Sequence, residues 1–281
     1  MKLSFGDIGF GALVLGLLGV GVAWPLLDRG APLSATAPRI EAPLAREAEA
    51  PAPVPLNQPL GLDRETLHAE IRDYIIRNPE VLVEAFDVLE QRQQLAEAQA
   101  DFARVRDNAE ALWSDPNSFV GGNLDGEIVI VEFLDYKCGF CKRAHPEVKA
   151  LIERNDDIKL IRKEFPILGP ESILASRAAI SVLLNDGPEA YASMSDSLMS
   201  FGGRVTENVL RRFAERAGAD ADAMMAKMED VEVSRIIQSN RALGQRLGIS
   251  GTPSFVFGER LVRGFLPLPQ MEETVTLLRR M

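Results

Sequence analysis

From Leu62 onward, apolar residues recur at helical spacing. Leu67, Ile71, Tyr74 and Ile75 share one face of a helix that Asp63 can cap. Asn78-Pro79 ends it, because the residue before a proline avoids the helical region. Leu82, Phe86 and Leu89 carry the stripe into a second helix of about 30 residues. Glu90 to Gln94 and Glu97 to Asp101 then read almost wholly polar, before Phe102, Val105, Ala109 and Leu112 resume the apolar pattern. A stripe so thin and interrupted cannot pack deeply along its length, so it predicts a stalk that meets copies of itself. Wrapping of the same helices around the following domain is the alternative.

Beyond the stalk the period changes. Glu127 to Phe133 (EIVIVEF) is rich in β-branched residues and predicts a buried strand; Cys141 to Arg154 predicts a helix, and Ile158 to Phe165 a second strand. These three make a βαβ unit. A helix-rich stretch follows from about 170 to 247, broken at Asn185-Asp186-Gly187-Pro188, at Gly202-Gly203 and at Gly218. Ser254 to Phe257, a turn at Gly258-Glu259, Leu261 to Phe265 and a final helix through Met281 predict a hairpin that closes the sheet. The class is α/β, and no internal repeat is visible.

The N-terminus breaks from this pattern. Ile8 to Leu27 carries no charged residue, and about 20 such residues suffice to cross a hydrocarbon core as a helix. The run reads as a retained membrane anchor. The alternative is a cleaved signal peptide, since Gly21-Val22-Ala23 offers small residues where a signal peptidase reads. In either case Lys2 stays on the cytoplasmic side and the bulk of the chain crosses, which places it in a bacterial periplasm. Gly30 to Leu60 is dense in Pro and Ala and poor in large apolar residues, as expected of a semi-rigid spacer. The expected organisation is an anchor or signal over 1–29, a linker over 30–61, a helical arm over 62–114, and a domain over 115–281 with a helical insertion at about 170–247.

Composition narrows the function classes. The chain has 281 residues, 46% of them hydrophobic, enough for one domain of roughly 150 to 200 residues with appendages. A net charge of −10 without a Lys/Arg cluster argues against nucleic acid as a partner. The two cysteines, Cys138 and Cys141, lie within EFLDYKCGFCKRAH. Such a pair can form half of a metal site, close a structural disulfide, or cycle between dithiol and disulfide. Structural zinc would have to recruit both histidines, His68 and His145, from unrelated segments. A two-residue gap closes a very short loop, so a structural disulfide would gain little chain entropy. At the start of a helix, free backbone N–H groups and the positive end of the dipole favour thiolate at Cys138, and Cys141 one turn further in is placed to resolve a mixed disulfide.

Cys138-Gly139-Phe140-Cys141 between strand and helix, with Pro146 five residues past the second cysteine, resembles the thioredoxin fold. Glu132, six residues before Cys138, stands where DsbA-type thioredoxins carry a buried acid, and Gly251-Thr252-Pro253 is similar to their cis-proline loop. The helical stretch between the two halves of the sheet matches the insertion of DsbA-like proteins. The resemblance implies that Cys138 is the nucleophile, Cys141 the resolving thiol and Glu132 a proton relay, with Asp135 a second candidate. It further implies that Thr252, Pro253, Gly139 and Phe140 line the client-binding surface. His145 reads as a surface or packing residue. Gly139-Phe140 differs from the Pro-His of the best-known oxidases, which removes one source of thiolate stabilisation.

The arm preceding this domain resembles that of ScsC-type disulfide isomerases. The expectation is an extracytoplasmic thiol-disulfide oxidoreductase acting on exported proteins, isomerase ahead of oxidase, without a cofactor or resident metal. It would work with a membrane redox partner and assemble as a homo-oligomer through 62–114. A peptide-holding chaperone and a copper(I)-handling thiol protein are the alternatives.

Overall fold

The computed structural model describes residues 63–280. The apolar run 8–27 and the Pro/Ala-rich stretch lie outside them, and among the described residues no helix is long and apolar enough to cross a membrane. Asp63 caps α1 (Arg64–Arg77) by accepting the Thr66 backbone N–H at 2.8 Å, and α2 (Glu80–Asp107) follows Pro79. No residue of α1 is buried. Tyr74 is 58% exposed and Phe86, on α2, 68%. The apolar stripe of the arm is therefore uncovered among the described residues. Its C-terminal end behaves differently. Val105 and, on α3 (Ala109–Trp113), Leu112 are fully buried against the sheet.

Asp101 departs from the expectation of a polar, unpacked middle. It is buried because Arg263 reaches it with both terminal nitrogens, at 2.6 and 2.8 Å, and Arg104 adds a third bond at 2.7 Å. The stalk joins the body at this ion pair.

Five strands form one sheet in the order β1-β3-β2-β4-β5. β2 (Ile128–Leu134) and β3 (Ile158–Glu164) run parallel, joined through α4 (Gly139–Glu153). β4 (Ser254–Phe257) pairs antiparallel with β2, and β5 (Arg260–Arg263) with β4. β1 (Phe119–Gly122) is a strand the pattern did not announce. Its four residues, two of them glycine, give no alternation, and antiparallel pairing with β3 alone defines it. One face of the sheet packs Ile130, Leu160 and Phe257 on α4 and on α9 (Leu268–Leu278). The other packs Val131, Phe133 and Ile161 on α3 and α8 (Val231–Arg246). This is the thioredoxin fold with the expected inserted helices: α5 (Pro170–Ser200), α6 (Glu207–Arg216), α7 (Ala221–Met228) and α8 lie between β3 and β4. Within α5 the helical path breaks at Gly187, whose φ of 87° suits glycine, followed by Pro188. The core of the insertion continues through Leu134 and Tyr136 to both cysteines, so the helical domain forms a wall of the site.

Candidate active site

Cys138 stands at the N-cap of α4 in extended conformation, and Cys141 occupies the first turn. Both are free thiols; Cys141 is fully buried and Cys138 retains 7% exposure. The Cys138 thiol is pulled down to about 5, chiefly because the Cys141 S–H donates to it. The backbone N–H groups of Cys141 and Phe140 add to this against the cost of burial. Cys141 moves the other way, far above the ordinary thiol range, because it donates to Cys138 and is buried. The Asp135 N–H reaches its sulfur at 3.5 Å. The surroundings thus favour thiolate at one sulfur and thiol at the other.

Opposite the pair lies the loop before β4. The Thr252-Pro253 peptide is cis, and Cys138 Sγ approaches the Thr252 carbonyl to 3.1 Å. The Gly264 N–H donates to the Pro253 carbonyl at 2.9 Å and ties this loop to the end of β5. The approach to Cys138 is open on the helix side: a Cβ at Gly139 would touch nothing within 4 Å, and Phe140 is 53% exposed. Asp135 is buried, and its carboxylate accepts the N–H groups of Lys137, Ile167 and Leu168 at 2.8 to 3.0 Å. It fastens the turn before Cys138 to the turn after β3. Lys137 and Lys142 reach the carbonyls of Gly203 and Phe201 and so clamp the insertion against the motif.

Glu132 is buried, its Oε2 accepting from Arg162 Nε at 3.0 Å while Oε1 has no partner among the described residues. Arg162 also donates to His145 Nδ1 at 3.4 Å, and His145 Nε2 bonds Asp196 at 2.7 Å. His145 is therefore a buried link in a polar chain running from Glu132 towards Lys149 at the surface. Its pKa is lowered, first by burial and then by Arg162, which keeps the ring neutral and its Nδ1 free to accept.

A second acid beneath the site escaped the sequence reading. Glu164, at the end of β3, is buried, and burial raises its pKa to about 7. Three hydroxyls donate to it: Tyr136 at 2.7 Å, Tyr191 at 2.6 Å and Ser176 at 2.7 Å. One signal was available. Arg162-Lys163-Glu164 is a run of three charges at the end of a strand that the pattern reads as buried, and charges there need buried partners.

This geometry is accompanied by a match over more than half of the chain. Residues 129–276 fit the family model described as a DSBA-like thioredoxin domain. The chain belongs to the DsbA-like thioredoxin family. Its domain is of the thiol-disulfide oxidoreductase type. Residues 63–96, spanning α1 and the first half of α2, match the N-terminal domain of the copper resistance protein ScsC.

Among solved structures, a thioredoxin-like oxidoreductase from Silicibacter pomeroyi is 37% identical, with 61% of this chain and 98% of that one covered at a TM-score of 0.57. Proteus mirabilis ScsC in a transitional conformation is 28% identical and covers 77% of this chain and 97% of its own at 0.59. Disulfide bond formation protein D of Bacillus subtilis is 23% identical over 164 residues, 55% of this chain and 73% of that protein. Two Salinispora Na(+)/H(+) antiporters, NhaA 3 and NhaA 1, also match this DsbA-like chain, which spans about a quarter of their length.

Proposed function

We propose that the chain is an extracytoplasmic thiol-disulfide oxidoreductase acting on cysteines of exported proteins, isomerase ahead of oxidase. The observation that carries the exchange chemistry is the opposed state of the two sulfurs, Cys138 favoured as thiolate and Cys141 held as buried thiol. In isomerisation the Cys138 thiolate attacks a non-native client disulfide, forming Cys138–S–S–client and expelling a client thiolate. That thiolate attacks another client disulfide, and a later client thiolate releases Cys138, with no net oxidation. If the intermediate stalls, Cys141 gives up its proton and attacks Cys138 Sγ; the client leaves reduced and the protein oxidised. Glu132, with its unpartnered Oε1, is the group proposed to receive that proton. Thr252 and Pro253 line one side of the client path, Gly139 and Phe140 the other.

The preference for isomerase rests on the arm. Its uncovered apolar residues, Leu67, Ile71 and Tyr74 on α1 with Leu82, Phe86 and Leu89 on α2, support self-association through 62–114. Several active sites on one assembly raise the effective concentration of thiolate on a bound client. Residues 8–27 would tether the assembly to the inner membrane, where a membrane redox partner resets the cysteine pair. The test is recovery of activity from a scrambled disulfide protein by the reduced full chain, together with its mass by light scattering at micromolar concentration. Recovery by an oligomer, lost in C138S, is expected. A monomer would remove the isomerase preference, and suppression of aggregation retained in C138S without exchange would favour a peptide-holding role.

A further inference from the structure

One cation beside the nucleophile has no part in the chemistry above. Arg143, five residues after Cys138, lays its guanidinium over Phe140 at 4.4 Å from the ring centroid, and over Phe265 at 5.1 Å. Phe140 lies between the two cysteines. Phe265 follows Gly264, whose N–H is bonded to Pro253. Arg143 thus bridges the two sides of the opening around Cys138. A guanidinium held over aromatic rings makes no hydrogen bond to them through its in-plane N–H fork, and among the described residues that of Arg143 has no acceptor, so it remains able to take a carboxylate.

Among the described residues no carboxylate pairs with Arg143. Glu147, one turn further along α4, instead accepts the Leu268 N–H at 3.1 Å. Neighbouring Lys142 is bound to a carbonyl, that of Phe201, so its charge is uncompensated too. A chain of net charge −10 thereby presents a local cationic rim at its nucleophile.

We propose that Arg143 is a specificity-determining residue that recognises an acidic side chain, Asp or Glu, next to the cysteine of the client. The proposal rests on the exchange reaction of the preceding section and names its preferred substrate class. In that reaction the Cys138 thiolate attacks a peptide disulfide and expels one peptide thiolate. Cys141 then attacks Cys138 and expels the second; two electrons and two protons pass from the protein to two peptide thiols.

The test is the rate at which the reduced full chain reduces three disulfide-linked peptide dimers, identical except for Glu, Gln or Lys beside the cysteine. An exposed ion pair corresponds to a Glu-over-Gln ratio of about threefold. The ratio is expected to fall to about one in R143Q, to fall part-way in R143K, and to collapse for the wild type at about 1 M salt, where the screening length is a few ångströms. Equal rates for Glu and Gln peptides, or a preference that survives R143Q or high salt, would overturn the inference while leaving exchange intact. Failure of the wild type on all three peptides would overturn the oxidoreductase reading, and this inference with it.

Discussion

Tyr136, two residues before Cys138, donates its hydroxyl to Glu164 Oε1 at 2.7 Å across 28 residues of sequence. The same hydroxyl lies 3.2 Å from Ser195 on α5, and Tyr191 and Ser176 of that helix also donate to Glu164. One carboxyl therefore joins β3, the turn leading into the redox motif, and the inserted helical domain.

Glu164 makes the stability of this junction pH-dependent. Its pKa is raised to about 7 from an ordinary 4.5, so its contribution is fully present below about pH 4.5 and is lost as pH rises through about 7. The change is on the order of 3 kcal/mol. In E164Q the amide oxygen can still accept from both tyrosines and the amide nitrogen can donate to Ser176, while the titration is gone. Denaturant unfolding from acid to neutral pH should therefore show a falling curve for the wild type, with this component absent in E164Q. Parallel curves would exclude the assignment.

The pair beneath α4 behaves as a buried salt bridge. E132Q leaves Arg162 buried without its counter-charge and is expected to cost about 3 to 5 kcal/mol in chemical unfolding. Replacing both partners, in E132L/R162M, should recover most of that loss, because no unpaired charge remains. Equal destabilisation by the single and double variants would show that the pair is not the relevant unit.

Removing the Cys141 thiol has two expected consequences. Cys141 is the first donor to the Cys138 sulfur, so C141A should raise the Cys138 pKa from about 5 towards the ordinary thiol range. It should also leave client mixed disulfides at Cys138 unresolved, visible as a mass increase under non-reducing conditions. A C141A protein with an unshifted Cys138 would contradict the hydrogen-bond origin of the low pKa.

Features of the fold set by local chemistry were legible in the sequence. Asp63 caps its helix, Asn78-Pro79 ends it, and the strand-helix-strand run around Cys138 forms as its periodicity indicates. The inserted helices break at Gly187, Gly202-Gly203 and Gly218 as glycine marked them, whereas the boundary between α7 and α8, at Glu229-Asp230, carries neither glycine nor proline. What was hidden depends on partners distant in the chain. β1 has no side-chain alternation of its own and exists only through β3. Asp101 looks like any polar residue of an exposed stalk until Arg263, 162 residues on, covers it. Glu164 reads as the end of a charged run, and its role emerges only when Tyr136 and α5 close over it. His145, read as surface or packing, is buried as a polar link between Arg162 and Asp196.

The most direct test of the account is a pH titration of the ultraviolet thiolate absorbance of the fully reduced protein. A single ionisation near pH 5, absent in C138S, is the result expected if Cys138 is the poised nucleophile of a redox pair. No ionisation below about pH 8, or a low-pH step that persists in C138S, would contradict it.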